Sequence, residues 1–213
     1  MRKKTSDISL ILGANLNKRL MADLLRQNVR RTIDYTLSDE EYELLSGFFF
    51  KKSFDKKAVL AEEGTTCRYV YFILKGSCYS YIVNRQGDKH AVQFAIEEHW
   101  ITDHYSFFSQ RKGIYTIETL EPTEVLMLNR DSYNKLCKTS HLFEHFMRVL
   151  MQNSIVALQY RISKTNSESA KDRYLEFSGL YPHFIQRIPQ YLIASYLGIK
   201  PQSLSRIRKE LSN

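Results

Sequence analysis

The chain has 213 residues, 43% of them apolar, and a formal net charge of +8. That is enough apolar material for one large domain or two small ones, and no apolar run approaches the length that spans a membrane. Three scattered cysteines, Cys67, Cys78 and Cys137, exclude a disulfide framework and fit a reducing compartment, so a cytoplasmic protein is expected.

Residues 1–20 read as an extension, and Met21 is an alternative start, because a regular pattern begins there. The apolar part of the extension, Ile8 to Leu12, is too short for a signal-peptide core. From Ala22 to Val29, the positions of Leu24, Leu25 and Val29 predict an amphipathic helix. A second helix follows Ser38, which caps it with Glu41 at capping-box spacing. From Phe48 to Arg130 the pattern turns to strands: Phe48–Phe54, Ala58–Ala61, Tyr69–Leu74, Cys78–Val83, His90–Ile96, Ile114–Leu120 and Glu124–Leu128. They are rich in β-branched and aromatic residues and separated by turn signals at Gly64, Gly76, Gly87 and Pro122. Short antiparallel strands without intervening helices predict a β-roll of the jelly-roll, or double-stranded β-helix, type.

Asp131 to Cys137 predicts a short helix, and Ser140 the N-cap of a long one over residues 141–163. Leu142, Phe146, Val149, Asn153, Val156 and Tyr160 repeat at heptad spacing along it, with Phe143, Met147, Leu150 and Leu158 as a second apolar stripe. One stripe can pack on the helix's own domain and the other on a second copy, so this is a candidate dimerisation helix, with Asn153 fixing register. The polar run Lys164–Ser169 reads as a hinge, followed by a helix over Ala170–Ser178 that Gly179 ends.

The last stretch, Ile188 to Asn213, reads as a helix-turn-helix. Pro189 opens a first helix with Leu192, Ile193, Tyr196 and Leu197 on its apolar face. Gly198 supplies the positive φ of the turn, and Pro201 opens a second helix that buries Leu204, Ile207 and Leu211. Its other face carries Gln202, Ser203, Ser205, Arg206, Arg208 and Lys209, side chains that bond base edges and phosphates. Lys200 is a poor N-cap, a misfit that a DNA phosphate would offset. Charge agrees: residues 161–213 carry nine Lys/Arg against four acids, while residues 32–160 carry fourteen against seventeen.

A β-roll, a long helix and a C-terminal helix-turn-helix together resemble the Crp/Fnr family of bacterial transcription regulators. The most specific pieces are Gly64 to Gly76 (GTTCRYVYFILKG), Asp172 to Phe177 (DRYLEF), Ile193 to Ile199 (IASYLGI) and Ser203 to Arg208 (SLSRIR). The resemblance implies an α+β chain with an N-terminal extension and helix (1–36), a cyclic-nucleotide-binding-like roll (37–138), a dimerisation helix (139–163) and a winged-helix-like DNA-binding domain (164–213). The wing is expected to be short or absent, because the chain ends just after the second helix of the pair. It implies a homodimer on double-stranded DNA with a near-palindromic site. Gln202 and Arg206 take the base-reading positions, with Lys200, Ser203, Ser205 and Arg208 on phosphates. RNA polymerase and a small-molecule effector are candidate partners, and no membrane is expected.

The ligand segment departs from that family. Cyclic-AMP-binding members carry Gly-Glu and, soon after, Arg-Ser; here the positions fall at Thr102-Asp103 and near Gly113-Ile114. Without that arginine, cyclic AMP is not expected to bind, and no cofactor is assigned. Thr102, Asp103 and Tyr115 remain candidates for a pocket that takes another effector. Tyr79, Tyr81, Phe94, Tyr105 and Phe107 are further lining candidates, with plain core the ordinary reading of aromatics in a roll. No clustered cysteines suit an iron–sulfur centre, and His90, His99 and His104 are haem-ligand candidates by composition only. His141, Glu144 and His145 match a zinc-protease spacing but sit on the dimerisation helix, so no enzyme is expected. The alternative reading is a cupin-like small-molecule-binding protein or enzyme whose tail is an interaction module.

Overall fold

The computed structural model describes residues 23–211; the extension expected over residues 1–20, with Met21, lies outside the described residues. The chain divides into two compact units. The first holds the described residues through Phe49 together with Asp131–Leu150. It contains helix α1 (residues 23–33), longer than the sequence pattern predicts, and α2 (Asp39–Ser46). The capping box is complete: Ser38 Oγ accepts the Glu41 N–H at 3.1 Å and Glu41 Oε2 accepts the Ser38 N–H at 2.8 Å. Most of α4 (Arg130–Thr139) and the start of α5 (His141–Ser167) complete the unit. Ser140 caps α5 as expected, accepting the Phe143 N–H at 3.2 Å.

The second unit, Phe50–Arg130 with Met151–Asn213, holds the roll and the C-terminal helices. Its strands are β1 (Phe50–Phe54), β2 (Val59–Ala61), β3 (Tyr69–Lys75), β4 (Cys78–Val83), β5 (Lys89–Ala95), β6 (Trp100–Ile101), β7 (Thr116–Thr119) and β8 (Thr123–Asn129). They form two antiparallel sheets in the orders β1-β8-β3-β6 and β2-β7-β4-β5. Tyr71, Ile73, Val125 and Met127 from one sheet and Cys78, Ala95 and Ile117 from the other form the roll's apolar interior. Each strand foreseen is present within a few residues at its ends. The two-residue β6 and the short helix α3 (His104–Ser109) were not foreseen. Gly76, at φ +98°, joins β3 to β4; a Cβ there would lie 2.6 Å from the Pro122 carbonyl oxygen, so no other residue fits.

After β8 the described chain is helical: α4, α5, α6 (Ala170–Leu180), α7 (Pro182–Arg187), α8 (Gln190–Tyr196) and α9 (Pro201–Leu211). The polar run read as a hinge is helical through Ser167, and Gly179 lies inside α6 instead of ending it. Only Glu168 and Ser169 separate α5 from α6, with Ser169 accepting the Asp172 N–H as N-cap. Much of the outward face of the β4–β5 pair is covered, although Val83, Lys89 and His90 at its far end are exposed. Tyr79, Tyr81, Ala91, Phe94 and Ile96 share one buried cluster with Phe177, Phe184, Ile188, Leu192 and Ile193 of the C-terminal helices. Tyr79, Tyr81 and Phe94, candidates for lining a pocket, are thus plain core, packed against those helices.

Candidate nucleic-acid interface

The helical pair α8–α9 is built on its turn. Pro189 is the N-cap of α8 instead of its first residue, and its carbonyl accepts the Leu192 and Ile193 N–H groups. At the other end Gly198, at φ +65°, reverses the chain. The Ile199 N–H reaches the Ala194 carbonyl at 2.8 Å and the Gly198 N–H the Ser195 carbonyl at 3.1 Å, the two bonds of a Schellman motif. Ala194 is fully buried, which lets the two helices approach closely. Arg173 on α6 braces the turn from outside, donating from Nε to the Leu197 carbonyl at 3.1 Å and from its guanidinium to the Glu168 carbonyl at 2.6 Å. The sequence reading missed this residue, although it lies within the quoted Asp172–Phe177 segment.

On α9, Leu204 and Ile207 are buried and hold the helix down. Leu211, expected with them, is 43% exposed, since the helix has passed its supporting neighbours by then. Gln202, Ser203, Ser205, Arg206, Arg208 and Lys209 are all exposed, as is Lys200 before them. Gln202 and Arg206 stand four residues apart, hence on one side of the helix. Every residue assigned to DNA is thus exposed on α9 or its leading turn, with Ser203 and Arg208 on the two flanks of the buried stripe.

The long helix is open too. Past Leu150, residues 152–160 are exposed throughout. Val156 is 64% exposed, and Ile155, Leu158, Tyr160 and Ile162 are also large apolar residues left in water. Of the seam read from sequence, Leu142 and Val149 are partly buried, Asn153, Val156 and Tyr160 exposed. Phe146 must be corrected: it is 2% exposed, packed inside its own chain, and presents nothing to a partner. Tyr160 is partly engaged, donating its hydroxyl to Glu176. Ile155 and Ile162, which the reading omitted, fall with Leu158 at i, i+3, i+7 and make a sharper exposed stripe.

The pocket assignment needs correction as well. Thr102 is buried, donating to the Tyr69 carbonyl at 2.9 Å beside the Cys67 sulfur. Asp103 is 0% exposed and is the N-cap of α3, accepting the Ser106 N–H at 3.1 Å. Its second oxygen accepts the Ile114 N–H at 2.7 Å and the Tyr115 N–H at 3.1 Å. Tyr115 is brought beside Asp103, and burial, helped by that carboxylate, raises its phenol. Arg111 and Lys112 are exposed on the loop between. A groove of about 510 Å³ borders this region, lined by Leu60, Glu62, Thr65, Cys67, Arg68 and Tyr69 among others; Thr102 touches it from behind through Cys67 and Tyr69, but none of the three candidates lines it. His104 is held below its ordinary value by burial, against the opposing pull of Asp103. Among the described residues no group of three or more His, Cys, Asp or Glu side chains is placed to hold a metal ion, and no helix is long and apolar enough to cross a membrane.

Residues 51–140 match the model of the cyclic nucleotide-binding domain. No curated protein sequence matches the chain. Among solved structures it is similar to FixK2 from Bradyrhizobium japonicum, at 17% identity and a TM-score of 0.67, over 77% of this chain and 84% of that one. It is similar to a CooA mutant from Carboxydothermus hydrogenoformans, at 18% identity and a TM-score of 0.64, over 82% and 81%. The catabolite activator protein of Thermus thermophilus follows at 16% identity and a TM-score of 0.55, over 83% and 84%. Identities this low establish a shared fold.

Proposed function

From a cyclic nucleotide-binding domain at residues 51–140 and the α+β architecture of the Crp/Fnr regulators, we propose that this chain is a homodimeric, sequence-specific DNA-binding transcription regulator. The observation that carries the reading is α9: its back is buried on Leu204 and Ile207, its front is polar, cationic and open, and a Schellman turn fixes its angle to α8. A helix so mounted can enter the major groove, where Gln202 suits adenine and Arg206 guanine. Lys200, Ser203, Ser205 and Arg208 then lie toward the phosphates, which sets register. The exposed apolar length of α5 supports the dimer, since Ile155, Val156, Leu158 and Ile162 on a lone chain would leave a contiguous greasy surface in water. Two copies joined there present two α9 helices to half-sites about one turn of DNA apart.

Selection of purified protein against a randomised duplex pool tests this. Enrichment of a motif related to itself by two-fold symmetry, with binding that survives moderate salt, is expected. Binding that is only salt-sensitive and indifferent to sequence overturns the reading.

A further inference from the structure

One guanidinium gathers carbonyls from three places in the chain. Arg173, in the first turn of α6, donates from Nε to the Leu197 carbonyl at 3.1 Å. From Nη1 it donates to the Glu168 carbonyl at 2.6 Å and, more weakly, to the Thr165 carbonyl at 3.4 Å. Thr165 belongs to the last turn of α5, Glu168 to the link between α5 and α6, and Leu197 is the C-cap of α8. Carbonyls at the end of a helix lack partners inside it, and the end carries partial negative charge. A single cation therefore serves the ends of α5 and α8 at once. Those ends also lie side by side: a Cβ on Gly198 would stand 4.0 Å from the Thr165 methyl, an ordinary van der Waals distance. Apolar packing does not by itself fix such a joint. Tyr174 and Phe177 of α6 share a buried cluster with Leu192, Ile193, Leu204 and Ile207, which holds α6, α8 and α9 together, but apolar attraction has no direction. Lys171 of α6 and Glu210 of α9 are exposed and 4.0 Å apart, a pair that adds little. A guanidinium is different, since its N–H groups point along fixed directions in one plane.

We propose that Arg173 is a specificity-determining residue that does not itself touch DNA: by fixing the turn of the α8–α9 pair to the end of α5, it sets which spacing of half-sites a dimer accepts. The proposal rests on the proposed function. With α5 joining the two copies, the angle between α5 and α9 decides where the second α9 falls along the duplex. One base pair more or less between half-sites shifts the second by about 3.4 Å and turns it by about 35° round the axis. A stiff joint accepts one spacing, and a loose joint several.

The test titrates wild type, Arg173→Lys and Arg173→Met against duplexes that carry the selected half-sites at the selected spacing, and at one base pair more and one fewer. Wild type should bind the altered spacings about 100-fold more weakly, because both half-sites can no longer be engaged at once. In both variants that penalty should shrink to about tenfold or less, with affinity for a single half-site unchanged. Lysine keeps the charge and loses the planar fork, so Arg173→Lys separates direction from charge. Ile117→Val, which loosens the roll's interior and leaves the joint alone, should keep the full penalty, as should Arg173→Lys and Arg173→Met if Arg173 served stability only. Strict spacing in Arg173→Lys and Arg173→Met overturns the proposal. So does a loss of single half-site affinity that matches the loss on the full operator, or the failure of both variants to fold, since either makes Arg173 a residue of the fold. Wild type that binds no duplex sinks the proposed function, and this inference with it; wild type that binds the operator but is indifferent to spacing sinks this inference alone.

Discussion

Ser195 on α8 completes the edge of strand β5 at Ala91. Its Oγ accepts the Ala91 N–H at 3.0 Å and lies 3.4 Å from the Lys89 carbonyl. β5 is the outer strand of its sheet, so this N–H has no strand to pair with. Arg161 on α5 serves the same edge one residue on, donating to the Val92 carbonyl at 2.8 Å while its guanidinium lies 4.5 Å from the Tyr196 ring. The helices that present α9 are thus bonded to the roll along a row of backbone groups that would otherwise be buried unpaired.

Ser195→Ala removes the acceptor and leaves the part-buried Ala91 amide without it. The expected loss is about 1 kcal/mol. Urea denaturation should show a lower midpoint with an unchanged slope, since the surface exposed on unfolding is the same. An unchanged midpoint would mean that water replaces the hydroxyl and that the edge is open.

Arg187 on α7 forms a second tie, reaching Glu97 after β5 and Glu121 between β7 and β8. Burial alone would push Glu97 up, but the Arg187 guanidinium and the Gly76 N–H at 2.8 Å outweigh it and hold the carboxyl below its ordinary 4.5. A carboxyl depressed in the folded state stabilises above its unfolded value and loses that contribution as pH falls through the folded one. The melting temperature of wild type should therefore exceed that of Glu97→Gln at neutral pH, with the gap closing below about pH 4.5. The pair is a third exposed, so the neutral gap should correspond to about 1 kcal/mol or less. A gap that persists to pH 3 would assign Glu97's role to packing.

The proposed dimer makes a separate demand on α5. Leu158→Asp places a charge on the stripe of Ile155, Leu158 and Ile162, which no part of the described chain covers. Light scattering should show the wild type as a dimer and the variant as a monomer whose fold, by circular dichroism, is intact. Because two half-site contacts then become one, operator affinity should fall by about 100-fold or more. Phe146→Ala should instead lower thermal stability by about 3–5 kcal/mol, the cost of a cavity inside one chain. A variant Leu158→Asp that remains dimeric would move the interface elsewhere.

What was readable from sequence was what is decided locally. Ser38 with Glu41, Gly198 before Pro201, and the Gly76 turn that carries the chain from β3 to β4 each carry their cause within a few residues. Elements fixed by distant partners were missed or misread. Asp103 was read as a ligand contact because it falls where cyclic-AMP-binding relatives carry Gly-Glu; its role as N-cap depends on a six-residue helix and on a segment eleven residues away. The run Lys164–Ser169 looked like a hinge since Ser, Thr and Asn compete for backbone bonds. In the folded chain Thr165 and Ser167 direct those hydroxyls to the Arg161 and Ser163 carbonyls one turn back, at 2.9 and 3.0 Å, and the helix continues. Phe146 belonged to a heptad by spacing, yet spacing cannot tell a face buried at home from one buried abroad.

The assignments on α9 separate by their response to sequence and salt. Arg206→Ala and Gln202→Ala should each cost about 1–3 kcal/mol of operator affinity and relax preference at one base position per half-site. Lys200→Ala should weaken binding to all duplexes alike and reduce the slope of log affinity against log salt by about 1. It should also cost the fold nothing: Lys200 is exposed, next to the positive end of α9, where its charge opposes the helix dipole. A residue that is unfavourable in the free protein and favourable only beside a phosphate should gain thermal stability when replaced by serine, by about 1 kcal/mol, while losing affinity. Titrating the three variants against the selected operator and a scrambled duplex at several salt concentrations gives both readouts at once. Were Arg206→Ala to change only the salt slope, arginine would be a phosphate contact and the base-reading face of α9 would have to be turned toward Ser203.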